Sequence, residues 1–461
     1  MDFAKLGSSF HRPLLVVLAV SLLLKLSVWC VVVFTGDPVR DFSWADTRGY
    51  HEPALSLVQS GRFDTFLDAP GQPMTYRTPG YPAFLAAVYA VFGENQPAAI
   101  LFQVLLSLVT IYLTWRLAWR LWGDQVALSA AALLALDPLS LTYSLKIMTE
   151  NNFTLFVMVA ILAGVNLVTN QRRRAGWALL LGLTLALATL TRPLSYYLPI
   201  PVILGVMIWG WKRRWGARSM AVTALLILLP NLLLIGGWTW RNFRLTGAPV
   251  YTSIEGYYTY FWQAANVIAE RDGLEIDKVQ LQLGMGSGGP TGRGSGYREA
   301  HPETKDWTFE QLCQRWQKEG MEVIKAHPLI FAKVYFAGVA RALLRPGAQQ
   351  LLEMLGVPLS ALNPRSLVHR PLAAGFLIYS YLYLLLLYLG FVLYFIRGRR
   401  TDKMDVARFF ILGIFLYVIL ASGGPSAISR FRIPLMPLFA LFSAYQITRT
   451  LQRSPKIIKR S

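Results

Sequence analysis

Acidic residues are scarce in this 461-residue chain: 25 Asp and Glu stand against 45 Lys and Arg, and charged residues of all kinds make up only 15%. Soluble domains carry about 25% charge, so an ordinary soluble protein is excluded. Cysteine is almost missing. Cys30 and Cys313 offer no disulfide framework and no CxxC metal or redox site. The five histidines form no HxxxH or HExxH arrangement, so spacing indicates no metal site. The glycine-rich stretch from Gly284 to Gly296 lacks the GxxxxGK-Ser/Thr pattern of a phosphate cradle and reads as a loop.

What is abundant is apolar. Hydrophobic residues make up 54% and the mean hydropathy is +0.41. Runs of about 20 such residues recur, the length that crosses a bilayer as a helix. A membrane barrel is excluded, because its strands are about 10 residues long and alternate. Spans are predicted at about 13–35, 98–119, 125–143, 150–169, 175–191, 196–211, 219–238, 372–396, 406–423 and 433–449. The first is too long for a signal core and is read as retained.

The net charge of +20 suggests nucleic acid until its distribution is seen. The segments 1–12, 114–124, 170–175, 212–218, 397–408 and 449–461 hold 21 of the 45 basic residues and only four acids, Asp2, Asp124, Asp402 and Asp405. Basic residues clustered beside spans mark the cytoplasmic side. Ten spans then put both termini in the cytoplasm, and no nucleic-acid partner is expected.

Three segments are expected to lie at the interface rather than to cross. The stretch 81–92 is too short to cross: 13 residues of helix reach about 20 Å against a core of about 30 Å. Segment 50–60 has amphipathic spacing, and 321–345 mixes Lys325, Lys333, Arg341 and Arg345 with aliphatic residues. The chain divides into an N-terminal membrane module at 1–238 with a first loop at 36–97, an extracytoplasmic region at 239–371, and C-terminal spans at 372–461.

Asp46 is the leading candidate for chemistry. A carboxylate at the outer interface suits a base that takes the proton from an incoming hydroxyl; the competing reading is a cap on helix 50–60. Asp41 is a weaker substitute. Arg77, Arg192, Arg241, Arg430 and Arg432 fall at predicted outer span ends, where a guanidinium can grip phosphate or anchor the span. Lys146 and Glu150 stand four apart, spaced to pair with each other; Glu150 is otherwise a candidate to bind acceptor, sugar or a divalent metal beside Asp46. Lys25 falls within the first span, where charge is costly, and Asp137 is a candidate partner.

The ordered set Asp46 with Tyr50 and Ala54, Gly61-Arg62-Phe63, Arg77-Thr78-Pro79-Gly80-Tyr81-Pro82, Leu136-Asp137-Pro138, Leu190-Thr191-Arg192-Pro193, Trp240-Arg241-Asn242, His327-Pro328 and Arg430-Phe431-Arg432-Ile433-Pro434 resembles the GT-C glycosyltransferases, in the branch of protein mannosyltransferases and lipid A aminoarabinose transferases. The resemblance implies an all-α polytopic membrane fold, a bundle of about ten helices with an extracytoplasmic active site in the cell membrane. It implies Asp46 as catalytic carboxylate, with Tyr50 and His51 beside it as substrate-binding candidates. It also implies a sugar donor linked to polyprenyl phosphate and a glycan, lipid or protein acceptor. This sequence departs from the branch in having Thr47 after Asp46 and Thr78 before Pro79. Two other functions remain open on the sequence: a transporter or flippase of an anionic or lipid-linked substrate, and an O-antigen ligase or polymerase using a pyrophosphate-linked donor.

Overall fold

Apolar runs become helices because, in hydrocarbon, each backbone N–H and C=O must be bonded within its own segment. The structure is a computed structural model and describes residues 11–35, 41–43, 45–64, 71–286, 294–347, 349–358, 362, 364–397 and 402–453. In chain order the helices begin with α1 (His11–Thr35), α2 (Arg48–Ser60), α3 (Gly80–Phe92), α4 (Gln96–Trp122), α5 (Asp124–Ala135), α6 (Pro138–Ser144), α7 (Glu150–Thr169) and α8 (Arg174–Thr191). Next are α9 (Pro199–Lys212), α10 (Ala217–Thr246), α11 (Ile254–Tyr258), a π-helical stretch (Thr259–Ala264), α12 (Ala265–Asp272), α13 (Ile276–Gln282) and α14 (Ser295–Ala300). The last are α15 (Phe309–Ala326), α16 (Pro328–Leu344), α17 (Gln349–Met354), α18 (Pro364–Leu367), α19 (Pro371–Arg397), α20 (Asp402–Ser422) and α21 (Met436–Arg453).

Among the described residues, seven helices are long and apolar enough to cross a membrane, or up to nine if each bent pair counts once, against the ten expected. The protein is a multi-pass membrane protein. The expected span 125–143 is broken: α5 and α6 meet at 60°. Pro138 cannot continue the helix before it, and Asp137 restarts the chain by accepting from Ser140 N at 2.8 Å. The segment 321–345 is not one interfacial helix either. It breaks at His327-Pro328, where α15 and α16 meet at 104°. The expected span 433–449 begins as a 3-10 stretch, Ser429–Leu435, and continues as α21. This helix packs between α5 and α19 and buries Ser443, Gln446 and Thr448, so it need not be apolar all round.

Helix α3, at 13 residues, is not among the helices long and apolar enough to cross. Trp29 donates to Pro97 O at 3.0 Å and Lys25 to Ser107 Oγ at 2.7 Å, so α1 and α4 are antiparallel and α1 ends where α4 begins. Helices α2 and α3, which connect α1 to α4, therefore lie at that end. Lys25 also donates to Ser21 Oγ, at 3.1 Å, and forms no ion pair with Asp137 among the described residues. Arg116, Arg120, Arg174, Lys212 and Arg397 sit at the far ends of their helices. Parts of the basic segments, 1–10, 398–401 and 454–461, and residues 287–293 of the glycine-rich stretch lie outside the described residues.

A second core sits at the end carrying α2 and α3. Phe63, Met74, Tyr76, Tyr257, Phe261, Tyr297 and Trp316 are buried together and join the first loop to the region after α10. Hydrogen bonds clip the same two segments: Ser253 N donates to Thr75 O at 3.1 Å, and Thr252 Oγ1 to Tyr76 O at 2.9 Å.

Candidate active site

Asp46 lies in the turn before α2, and its side chain does not cap that helix. It points between two guanidinium groups. Arg77 Nη2 donates to Oδ1 at 2.6 Å and Arg430 Nη2 to Oδ2 at 2.7 Å. Arg430 Nε is 3.7 Å from Glu150 Oε1, which accepts from Arg192 Nη1 at 2.9 Å. Arg77, Asp46, Arg430, Glu150 and Arg192 thus form one alternating chain of three cations and two carboxylates. The expected Lys146–Glu150 pair is replaced by Arg192, contributed from the end of α8.

This chain lines a pocket of about 480 Å³ at the end of the bundle, with Tyr50 and Glu255 also on its walls. The Asp46 side chain keeps 27% of its surface, enough to meet a substrate atom. Burial works to raise its carboxyl, but Arg77 and Arg430 reverse that effect and hold it well below the usual carboxylate range. Burial pushes the Tyr50 hydroxyl up, so it stays protonated; it accepts from Arg77 Nη1 at 3.3 Å, and the guanidinium stands 4.7 Å over its ring.

Local sequence explains how Arg77 is aimed. The clip from Thr252 and Ser253 fixes the backbone of residues 75 and 76. The Tyr76 ring, itself in the second core, lies 5.0 Å under the guanidinium. Gly49 supplies the space: a Cβ there would fall 2.9 Å from Arg77 Nε. Thr47 Oγ1 donates to Ile147 O at 3.1 Å and ties the Asp46 turn to the segment after α6.

Five of the candidate residues converge with Asp46: Tyr50, Arg77, Glu150, Arg192 and Arg430. Four do not. Lys146 donates to Asp41 O and Ser43 O, both at 2.9 Å, and fixes the strand of chain leading into Asp46. Asp41 lies 3.7 Å from it and does not line the pocket. His51 bridges Tyr89 and Glu94, joining α2 to the end of α3. Arg241 donates to Met74 O at 2.9 Å and Phe63 O at 2.8 Å, stapling the first loop to α10. Arg432 is 2% exposed and donates to Ala342 O, Leu343 O and Arg345 O, closing the C-terminal end of α16. A guanidinium at a span end serves main-chain carbonyls as readily as phosphate, so position alone did not separate these from Arg430.

Sequence reasoning missed Glu255, Gln263 and Gln317, which also line the pocket. No motif marks them; α11, the π-helical stretch and α15 carry them to the pocket. Among the described residues, no group of three His, Cys, Asp or Glu could hold a metal ion. Arginines hold both Asp46 oxygens and Glu150 Oε1, whereas Glu150 Oε2 is buried without a hydrogen-bond partner.

The family model for dolichyl-phosphate-mannose-protein mannosyltransferase matches residues 76–236. The undecaprenyl phosphate-alpha-4-amino-4-deoxy-L-arabinose arabinosyl transferase of Pseudomonas aeruginosa strain LESB58 is 34% identical over 161 residues, 33% of this chain and 29% of that protein. The chain thus matches less than a third of the length of this relative. The archaeal oligosaccharyltransferase of Archaeoglobus fulgidus, solved with an inhibitory peptide and a dolichol-phosphate, aligns with 98% of this chain and 52% of its own, at a TM-score of 0.53 and 12% identity. The same enzyme tethered to an acceptor peptide aligns with 95% of this chain and 50% of its own, at a TM-score of 0.54 and 13% identity. The chain thus shares its fold with the oligosaccharyltransferase along almost its whole length and resembles the mannosyltransferase family and the arabinosyl transferase in sequence over about a third of it.

Proposed function

We propose that the protein is an inverting glycosyltransferase that moves a sugar from a polyprenyl monophosphate donor to an acceptor hydroxyl, on the extracytoplasmic face of the cell membrane. The observation that carries this reading is Asp46 held between Arg77 and Arg430 in a pocket at the mouth of the bundle. The three arginines and two carboxylates of the chain leave one positive charge, which suits the single negative charge of a phosphodiester. The acceptor oxygen attacks the anomeric carbon, the bond from that carbon to the phosphate oxygen breaks, and polyprenyl phosphate leaves. The acceptor proton passes to an Asp46 oxygen. No strong general acid is needed for a phosphate leaving group, but its developing charge calls for fixed cations. Arg77, Arg192 and Arg430 fill that role.

An arginine that binds phosphate gives up part of its hold on Asp46. Donor binding therefore frees the carboxylate and raises its basicity as the acceptor arrives. A transporter reading fits less well, because transporter sites lie near the bilayer midplane between broken helices, whereas these charges stand at helix ends. The basic helix ends opposite the pocket support an extracytoplasmic active site. The test is to incubate the purified full chain with a panel of polyprenyl monophosphate sugars and mixed acceptors. Mass spectrometry should find a glycosylated product and free polyprenyl monophosphate. Transfer from pyrophosphate-linked donors alone would overturn the reading in favour of a ligase or polymerase.

A further inference from the structure

A groove of about 700 Å³, separate from the active-site pocket, runs between α9 and α20. Tyr417 Oη donates to Leu194 O at 2.8 Å and holds α20 against the chain just before α9, beside the pocket. From there the groove follows α9 to its C-terminal end, with lining residues from Leu198 to Arg213. Helix α9 rises about 20 Å between them, so the far end of the groove is remote from Asp46. Gly205 and Gly413 lie on its otherwise apolar walls, and a Cβ at either position would meet open space.

Charge is confined to one end. Lys212 and Arg213 are the charged lining residues, and both are exposed. Among the described residues, neither side chain has a hydrogen-bond or ion-pair partner. Arg213 is nonetheless held in place. Its guanidinium stands 4.5 Å over the Trp209 ring, and Trp209 Nε1 donates to Val168 O, near the end of α7, at 3.3 Å. The chain then reverses at once. Trp215 N donates to Gly210 O at 2.9 Å, and Arg214 adopts a left-handed conformation at φ 56°, which is uncommon for a residue with a side chain.

A long apolar groove with two unpaired cations at one end matches a molecule with a hydrocarbon tail and an anionic head. One leaflet of a hydrocarbon core is about 15 Å deep, half of about 30 Å. A tail in the groove can therefore reach the midplane while its head stays at Lys212 and Arg213. Basic pockets between helices at the cytoplasmic face suit acidic lipid head groups. We propose that the α9–α20 groove binds a phospholipid with an acidic head group, drawn from the leaflet opposite the active site. Its phosphate meets Lys212 and Arg213, and one acyl chain lies against Gly205 and Gly413. This lipid is distinct from the sugar donor, whose phosphate is assigned to the other end of the bundle, and the inference does not depend on that assignment.

The test titrates the purified full chain, in detergent, with phosphatidylglycerol and with phosphatidylcholine of identical acyl chains, and counts bound lipid by native mass spectrometry. Wild type should bind its first phosphatidylglycerol about 10- to 30-fold more tightly, the preference expected of two basic contacts. Lys212→Gln combined with Arg213→Gln should cut that preference to within about threefold. Gly413→Phe fills the groove without changing any charge and should weaken both lipids. Arg172→Gln combined with Arg173→Gln removes two exposed cations at the same end but outside the groove, and should leave the preference intact. Equal binding of the two lipids by wild type overturns the proposal. So does an equal loss of preference in the Arg172 and Arg173 variant, which would mark diffuse attraction to a basic face. Displacement of bound phosphatidylglycerol by one equivalent of polyprenyl monophosphate would assign the groove to the donor's carrier, and a dimer that Gly413→Phe dissolves would assign it to a second copy; either result overturns the proposal as well.

Discussion

Arg77 Nη2 lies 2.6 Å from Asp46 Oδ1, and this contact governs both the charge and the availability of the carboxylate. A base must be ionised to take a proton, and Asp46 is ionised over the whole working range because Arg77 and Arg430 hold its carboxyl far below an ordinary value of about 3.9. Transfer should therefore show no acid limb from this group above about pH 4. Removing one cation moves the carboxyl back up. Arg77→Gln should bring an acid limb into the profile of kcat/KM, at higher pH than in wild type, beside its loss of donor affinity. The same shift has a stability consequence. A depressed carboxyl adds stability that is fully present above its unfolded value and is lost as pH falls through the folded one. Arg77→Gln should thus be less stable at neutral pH and lose less on acidification. An unchanged pH profile in this variant would separate Asp46 from the rate.

Asp46→Asn keeps the size of the side chain and removes its basicity. It should express, fold and bind donor, yet turn over about 10²–10⁴-fold more slowly. Because the Asp46 side chain does not cap α2, Asp46→Ala should carry no helix-capping penalty. Its stability loss should come from Arg77 left without a carboxylate and Arg430 left with Glu150 alone. Melting temperature and sugar transfer measured on both variants test this, and near-normal transfer by Asp46→Asn would remove the base assignment.

Asp46, Arg77, Glu150, Arg192 and Arg430 were legible because each is a charge at a predicted helix end, where a membrane protein tolerates charge only for a reason. The fold was legible for a related cause: the lengths of apolar runs and the side on which basic residues gather. What the sequence could not decide is where a guanidinium points. Arg241 and Arg432 occupy the same kind of position as Arg430 but find main-chain carbonyls first. Lys146 sat four residues from Glu150, yet the break after α6 turns it toward residues 41–43, and Arg192 takes the glutamate. Glu255 was hidden because no motif marks it and only the fold brings α11 to the pocket.

Arg241 and Arg432 should behave as structural residues. Each donates charge-assisted bonds to two or more carbonyls, and such bonds are worth about 1.5–3 kcal/mol. Arg241→Ala and Arg432→Ala should lower the melting temperature while the folded fraction binds donor with normal affinity. Arg192→Ala and Arg430→Ala should weaken donor binding by tenfold or more, roughly the loss of one charged hydrogen bond. Donor titrations corrected for folded fraction separate the two groups.

The sidedness of the bundle can be read with cysteine labelling. Ser60 is exposed at the pocket end and Arg173 is exposed at the opposite end of α7 and α8. In a background with Cys30 and Cys313 replaced, Ser60→Cys should react in intact cells with a membrane-impermeant maleimide. Arg173→Cys should react only after permeabilisation. Labelling of Arg173→Cys in intact cells would invert the proposed orientation.

Glu150 joins the two arginines most deeply tied to the bundle, and its removal should cost the most stability of any pocket residue. It is 1% exposed, and Oε1 meets both Arg192 at 2.9 Å and Arg430 at 3.7 Å. Breaking a buried pair by deleting one partner costs about 3–5 kcal/mol, because the remaining charge has nothing to compensate it. Glu150→Ala strands Arg192 and leaves Arg430 with Asp46 alone. Glu150→Gln retains an oxygen that can accept from Arg192, so it should lose less. The two variants should therefore rank Glu150→Ala below Glu150→Gln below wild type in melting temperature. Donor affinity adds a second readout. With one negative charge gone, the arginine chain carries two surplus cations instead of one, and Glu150→Gln should bind the donor phosphate at least as tightly as wild type. If Glu150→Gln instead loses donor affinity along with Arg192→Ala, the glutamate is orienting Arg192 toward the phosphate, and its charge matters less than the geometry it imposes.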